Sequence, residues 1–265
     1  MPTKSAEPII KLLNDANRAA PNLDAWVIPE LDKHLGFSAG KLQKSLEQNY
    51  PSVGEGDAIK WAEPAWVHGS NAALNYRGRA IKREKMWFQL DDPQSSGSFL
   101  RYLYTGWQWN VLPATSGVGK CPELSPVVQS LNEWSAREGF AKANHFIVTR
   151  YEDGEHNIGA HLDKPKSIAP GSLITVIKTG EVGRPFKLEW LDGRTIFERV
   201  LPPGTGVVMT LEANLQTKHS VPAIEKAGVS GSIVARTIVD SVSWADVEKK
   251  IATNAAAKKK RARDE

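Results

Sequence analysis

The sequence contains a single cysteine, Cys121, among its 265 residues. One cysteine cannot form an internal disulfide, and it cannot supply the Cys spacing of a structural zinc site. Chains that do without disulfides are typical of reducing compartments. We therefore expect an intracellular protein.

Long apolar runs are also missing from the sequence. No stretch approaches the roughly 18 apolar residues that a membrane-spanning helix needs. The first residues, MPTKSAEPIIKLL, are too polar for a secretory signal peptide, and their apolar run is too short. The hydrophobic fraction of 41% and the charged fraction of 24% are ordinary for a globular protein with a large core. The length allows one large domain or two small ones.

The net charge is small, +4 at pH 7. Residues 258–265 carry five positive and two negative charges, so the rest of the chain is close to neutral. A basic run of this kind is typical of a nuclear import signal or a nucleic-acid-binding arm, and a solvated chain end is the alternative. If the run is a nuclear import signal or a nucleic-acid-binding arm, we expect a nuclear protein.

The first 50 residues predict helices. Residues 4–20 and 22–50 have apolar residues at helical spacing, with a break expected near Gly36–Gly40. Such apolar stripes are typical of core-facing helix surfaces, so we assign no chemistry to them.

Tryptophan is concentrated between residues 51 and 120, where turn-forming residues are also dense. The segments 80–89 and 99–109 predict strands. If the second segment is extended, Trp107 and Trp109 share one face. These two residues are our candidates for substrate binding, as a stacking wall for a planar base, and burial in the core is the alternative.

A basic cluster begins just before the first of these two segments and overlaps it. Its five members fall within nine positions: Arg77, Arg79, Lys82, Arg83 and Lys85. They are candidates for a phosphate track, and a solvated surface is the alternative.

The remaining residues predict a core, 121–242, followed by a C-terminal segment, 243–265. A helix over 122–140 leads into short strands that turn residues separate, and this regular spacing predicts a sandwich or jelly roll. The predicted strands are 144–151, 172–178, 185–190, 195–201, 206–211 and 233–239. Ser243 is the expected N-cap of a last helix from Trp244 to about Ala257. Residues 1–120 would then be a helical and tryptophan-rich extension packed on the core.

Three residues carry the chemistry that the sequence suggests: His161, Asp163 and His219. In an extended segment, residues two positions apart point to the same side, so His161 and Asp163 share a face. His219 lies 56 positions after Asp163, which suits a ligand returned by another strand of a closed sheet. Two histidines and one carboxylate on one side of a metal are diagnostic of non-haem Fe(II) oxygenases. H-x-D also occurs by chance, so the motif alone is a hypothesis.

Five short motifs follow one another between Asn144 and Asp240. They are a Y-x-x-G turn at 151–154, HLD at 161–163, PGTGVVMTLE at 203–212, KHSVP at 218–222 and VARTI at 234–238. Their order resembles that of the iron(II)- and 2-oxoglutarate-dependent dioxygenases. The resemblance implies an α+β fold with a double-stranded β-helix (jelly-roll) core, and it implies Fe(II), 2-oxoglutarate and O₂ as cofactor and cosubstrates.

The resemblance also implies roles for individual residues. His161, Asp163 and His219 would be the iron ligands and the catalytic residues. Arg236, 17 positions after His219, would pair with the distal carboxylate of 2-oxoglutarate. A guanidinium suits this task because its planar fork matches a carboxylate. Tyr151 would be a second contact to 2-oxoglutarate.

Within the family, the sequence looks most similar to the nucleic-acid branch, the AlkB-like demethylases and the TET/JBP-like oxidases. Thr149 stands where AlkB-like members have asparagine, and Val242 where they have a second arginine. These departures favour a TET/JBP-like or divergent AlkB-like member. The implied activity is oxidation of the methyl group of a methylated base in DNA, with release of succinate and CO₂.

The sequence leaves the substrate open in two respects. It does not choose between oxidation of 5-methylcytosine and demethylation of N6-methyladenine. The near-neutral body also suits a hydroxylase of a protein side chain or a small metabolite. A binding module with a vestigial site is a third possibility, which the complete set of His161, Asp163, His219 and Arg236 disfavours.

Overall fold

The computed structural model describes residues 13–60, 62–71, 82–102, 115–249 and 252–253. The strands are β1 Ala25–Ile28, β2 Ser52–Val53, β3 Trp66–Val67, β4 Glu84–Gln89, β5 Ser98–Leu100, β6 Thr115–Gly117, β7 His145–Tyr151, β8 Ile158–His161, β9 Leu173–Gly180, β10 Arg184–Trp190, β11 Thr195–Leu201, β12 Gly206–Thr210, β13 Thr217–Val221, β14 Ser230–Arg236 and β15 Ser241–Ser243. The helices are α1 Leu31–His34, α2 Ala39–Asn49, α3 Pro93–Ser96, α4 Ser125–Arg137 and α5 Leu211–Gln216. Short 3₁₀ turns lie at Asp15–Asn17, Val118–Lys120 and Pro165–Ser167.

Eight consecutive strands, β7 to β14, build two antiparallel sheets. In the large sheet β7, β14, β9 and β12 are neighbours in that order, and the small sheet has the order β8, β13, β10, β11. The chain changes sheet after almost every strand, and this topology is a double-stranded β-helix, or jelly roll. The predicted fold class is therefore confirmed, and so is the helix predicted over 122–140, which is α4.

The large sheet is buried on both faces, with a different core on each. On β9, Leu173 and Ile177 belong to the core beneath α2 and α4, whereas Ile174 and Val176 belong to the core between the two sheets. Successive side chains of a strand point to opposite faces, so each strand serves both cores. The face towards the small sheet is the inner face, and the other is the outer face.

Residues before position 120 contribute strands to the large sheet as well as helices. β1 pairs with β12 at one side, and β4 pairs with β7 at the other. The predicted segments 1–120, 121–242 and 243–265 stay a prediction, and the first of them is hydrogen-bonded into the same sheet as the second.

The helices predicted within the first 50 residues are present in part, as α1 and α2. The prediction of helix was wrong for two other stretches. Ala25–Ile28 is a strand because Trp26 and Ile28 pack in the outer core while Ala25 packs in the inner one. A stretch apolar on both sides does not show which period it follows. Residues 13–20 contain only a 3₁₀ turn, and residues 4–12 lie outside the described residues.

The C-terminal segment begins as predicted. Asp246 donates its backbone N–H to Ser243 Oγ at 3.1 Å, and Ser243 Oγ donates to the Asp246 carboxylate at 2.7 Å. Residues 244–249 and 252–253 are helical, and the basic tail at 258–265 lies outside the described residues. In the described parts of the chain, no helix is long and apolar enough to cross a membrane.

The turn between β7 and β8 depends on a glycine. Gly154 accepts a hydrogen bond from Ile224 N–H at 2.9 Å, and a Cβ at Gly154 would overlap the Ile224 carbonyl oxygen. We expect Gly154→Ala to lower the free energy of unfolding by about 1–3 kcal/mol, because the two segments must move apart. Gly119→Ala is the matched control, since a Cβ there meets nothing within 4 Å. Urea unfolding measures both, and equal effects would contradict the prediction.

Candidate metal centre

His161 and His219 lie opposite each other on neighbouring strands of the small sheet. His161 is the last residue of β8, and the register pairs it with His219 on β13. Their ring centroids are 4.4 Å apart. Opposed residues of antiparallel strands project to the same face, so the strand pairing itself brings the two imidazoles together.

Asp163 joins the two histidines from the segment after β8. One potential ligand atom from each of the three residues lies within 4.8 Å of the others. The structure thus brings together the three residues that the sequence nominated from separate parts of the chain. Their binding of a metal remains a prediction.

A buried ion pair fixes the Asp163 carboxylate. Asp163 is only 2% exposed, and Arg236 donates to both of its oxygens, from Nε at 2.8 Å and from Nη2 at 2.7 Å. Burial alone would raise the pKa of this carboxyl, but the charge and hydrogen bonds of Arg236 hold it below its usual range. Asp163 is therefore ionised at neutral pH. Each carboxylate oxygen has two lone pairs, so a metal can still be bound.

Asn214 and Tyr102 complete the support of Asp163. The Asn214 side chain accepts from Asp163 N–H at 2.8 Å and donates to the Asp163 carbonyl oxygen at 3.0 Å. Tyr102 donates its hydroxyl to Asp163 Oδ1 at 3.1 Å and accepts from Lys164 N–H at 2.9 Å. Sequence reasoning missed both residues, because nothing in their local sequence marks them as partners of a residue over 50 positions away.

The two histidines are in the form that binds metal. Burial lowers the pKa of His161 to about 3, with nearby His219 adding to the effect, and burial lowers the pKa of His219 as well. Both imidazoles are therefore neutral at pH 7, as a metal ligand must be. His161 Nδ1 lies 2.8 Å from the Gly159 carbonyl oxygen, which accepts only from a protonated nitrogen. This leaves Nε2 of His161 with its lone pair for a metal.

His219 provides the test of whether a metal fits. Its ring is stacked on Phe186, with centroids 5.9 Å apart. Its Nδ1 is buried and has no hydrogen-bond partner within the described residues. An orphaned buried nitrogen beside a second imidazole and a carboxylate fits a divalent transition metal such as Fe(II).

A cavity of about 280 Å³ opens between the two sheets beside the three candidate ligands. The described residues of its wall include one acidic residue, Asp163, and five basic ones, which are Arg83, Lys85, Lys164, Lys178 and Arg236. Burial lowers the pKa of Lys178 to about 7 and that of Lys85 well below its usual value, so these two lysines gain their full charge when an anion binds beside them. Because Arg236 already balances the Asp163 charge, the basic wall suits a small anion.

The two predicted 2-oxoglutarate contacts both lie in the cavity wall. Arg236 ends β14, and its guanidinium is engaged with Asp163. Tyr151 ends β7 and is buried, with its ring 5.7 Å from Lys178 Nζ. Contact of either residue with 2-oxoglutarate stays a prediction. Trp107 and Trp109, the predicted stacking wall, lie outside the described residues.

No protein-family model matches the sequence, and no curated protein matches it. Solved structures to which the chain is similar include a prolyl hydroxylase from Trichoplax adhaerens in complex with a hypoxia inducible factor peptide fragment. The identity is 7% and the TM-score 0.46, covering 87% of this chain and 88% of that one. A Pseudomonas putida prolyl-4-hydroxylase has 10% identity and a TM-score of 0.47, covering 86% and 98%. OsALKBH1 has 12% identity and a TM-score of 0.46, covering 82% and 98%. Likeness this distant transfers no activity to this chain.

Asn214 should matter to the metal site beyond its effect on stability. We expect Asn214→Ala to weaken Co(II) or Mn(II) binding by about 10- to 100-fold, because Asp163 loses the bonds that orient it. It should also cost about 1–3 kcal/mol of unfolding free energy, since two buried backbone groups lose their partner. Titration calorimetry and urea unfolding measure the two effects.

Asn132 supplies a matched control for this prediction. It bridges the N–H and the carbonyl oxygen of Ala143 at 2.8 and 2.9 Å in the same way. Asn132→Ala should cost similar stability and leave metal affinity unchanged. Equal metal affinity in the two variants would show that Asn214 only stabilises the fold.

Proposed function

We propose that the protein is an Fe(II)- and 2-oxoglutarate-dependent dioxygenase. The observation that supports this most is the convergence of His161, Asp163 and His219 beside a cavity with a basic wall inside a jelly roll. Two neutral imidazoles and an ionised carboxylate form the donor set of non-haem iron oxygenases, which leaves positions open for other ligands.

Each part of the site has a task under this proposal. His161, Asp163 and His219 would hold iron, and the lysines and arginines of the wall would attract the dianionic keto acid. Bound iron, with 2-oxoglutarate and O₂, would supply oxidation of a C–H bond with release of succinate and CO₂. The buried walls would shield this chemistry from water.

Succinate formation tests the proposal. With Fe(II), 2-oxoglutarate and air, the protein should convert 2-oxoglutarate to succinate, and His161→Ala should lower the rate at least about 100-fold because a metal ligand is lost. His34→Ala is the control, since His34 is exposed on α1. Mass spectrometry of succinate gives the rate. An unchanged rate in His161→Ala would remove this histidine from the site.

The finer proposal is that the substrate is the methyl group of a methylated base in DNA. Basic residues beside the cavity support it. Arg83 and Lys164 lie in the wall, and Lys82, which pairs with Glu155 at 3.2 Å, is exposed next to Arg83. Such residues can contact phosphates of a duplex whose base is extruded into the site. Arg77, Arg79 and the basic tail support it as sequence features, since they lie outside the described residues.

Methylated duplexes test the finer proposal. An oligonucleotide with 5-methylcytosine should gain a hydroxymethyl group, or one with N6-methyladenine should lose its methyl group as formaldehyde, with one succinate per event. Mass spectrometry of the digested nucleosides reads both, and His219→Ala is the inactive control. Unchanged bases, together with continued succinate formation, would reject DNA as the substrate while keeping the oxygenase.

The alternative substrate is a protein side chain or a small metabolite, which the near-neutral charge of residues 1–257 favours. The salt dependence of substrate affinity distinguishes DNA from a protein side chain or small metabolite. An enzyme that contacts phosphates loses affinity steeply as salt rises, and an enzyme for an uncharged side chain does not.

A further inference from the structure

Lys178 is a buried lysine on the inner face of the large sheet. Its side chain is 1% exposed and lies in the wall of the cavity. Nζ has no hydrogen-bond partner within the part of the chain that the structure describes, and its nearest described aromatic neighbour is the Tyr151 ring at 5.7 Å. An amino group buried without a hydrogen-bond acceptor is costly, so such a group indicates a ligand that would pair with it.

We propose that Lys178 is the residue that binds the distal carboxylate of 2-oxoglutarate. This inference rests on the proposed function above. It differs from the role that the sequence suggested for Arg236, whose two bonds to Asp163 make it the positioning residue of a metal ligand.

The other buried arginine beside Tyr151 has a different task. Arg184 donates to the carbonyl oxygens of Asp153, Gly154, His156 and Pro222. It therefore ties the turn after β7 to the end of β13, and it is absent from the wall of the cavity. Both side chains are buried, but Lys178 lines the cavity, and its Nζ has no hydrogen-bond partner among the described residues.

The position of Lys178 along the sheet suits the far end of a bound keto acid. Lys178 pairs with Ser232 on β14, and Arg236 lies four residues further along that strand. Four residues of a strand span about 13 Å, so Lys178 is remote from Asp163. A 2-oxo acid that chelates the metal with its first carboxylate and its oxo oxygen directs its other end away from the metal. A second carboxylate on a five-carbon chain would then approach Lys178.

Lys85 is the rival cation of the same cavity. It is buried, and the register places it in the same row of the large sheet as Lys178, three strands away, through Thr149 and Ser232. Burial lowers the pKa of Lys85 well below its usual value, with the charges of Arg83 and Arg236 adding to the effect and that of Asp163 opposing it. Burial lowers the pKa of Lys178 to about 7, and the charge of Arg184 adds to the effect. Lys85 therefore serves as a matched control of the same residue type and burial.

Two keto acids distinguish the contact between Lys178 and the distal carboxylate from chelation of the metal. 2-Oxoglutarate and 2-oxobutanoate share the chelating oxygens, but only the first has a distal carboxylate. We would measure the dissociation constants of both acids without oxygen, from the visible charge-transfer absorption of the Fe(II)–keto acid chelate. The proteins compared are the full-length parent and its variants Lys178→Met, Arg236→Met and Lys85→Met. Methionine is unbranched like lysine and only one atom shorter, and it removes the charge.

Lys178→Met should weaken 2-oxoglutarate binding by about 100-fold or more and leave 2-oxobutanoate binding within about 3-fold, because one partner of a buried charge pair is removed. Lys85→Met should keep the preference for 2-oxoglutarate. Arg236→Met should weaken both acids alike, since it disturbs a metal ligand. The metal-free Lys178→Met protein should unfold at an equal or higher urea concentration than the parent, because a buried polar group without a hydrogen-bond acceptor is lost.

The results separate failure of this inference from failure of the proposed function. A preference for 2-oxoglutarate that survives in Lys178→Met, or that disappears in Arg236→Met instead, would overturn the assignment. A clearly lower unfolding midpoint of Lys178→Met would give this lysine a structural role and overturn it as well. Absence of a chelate with either acid in the parent protein would refute the proposed function itself.

Discussion

The ion pair between Asp163 and Arg236 is the interaction on which the site depends. A carboxylate that is almost fully buried needs a cation, and Arg236 meets both of its oxygens. Removing one partner of such a pair typically costs about 3–5 kcal/mol, because the other charge stays buried and uncompensated. The pair also joins the end of β14 to the segment after β8, so it links the large sheet to the small one at the candidate metal centre.

Both faces of the large sheet carry a hydrophobic core, and the inner face also carries the candidate site. Its outer face packs under α2 and α4 with apolar side chains, whereas its inner face presents Lys178 and Arg236 towards the small sheet. The histidines come from the small sheet, so the two sheets contribute different groups to one cavity. Because a strand alternates between its faces, the same β14 serves the hydrophobic core and the site.

Buried cations in this protein differ in what they pair with. Arg236 pairs with a carboxylate, and Arg184 pairs with four carbonyl oxygens at a turn. Both arrangements use the several donors of a guanidinium. Lys178 has one ammonium group and, among the described residues, no acceptor. Arg236 and Arg184 therefore stabilise the folded chain, whereas Lys178 is available to a ligand.

The amino-acid sequence determined much of the framework. Alternation and turn residues predicted the strands of the core, amphipathic spacing predicted α4, and the H-x-D spacing placed His161 and Asp163 on one side. These features are local, because each depends on the period of a helix or a strand. For the same reason β1 was taken for a helix, since its two buried faces belong to different cores and conceal its period.

Only the tertiary structure decided what surrounds each candidate residue. Asn214 and Tyr102 support Asp163 from distant positions, Arg236 binds Asp163, and Lys178 is left unpaired in the cavity. Each of these facts depends on which strands become neighbours and in what register. A sequence states the type of a side chain, but the pairing of β8 with β13 and of β9 with β14 determines its partner.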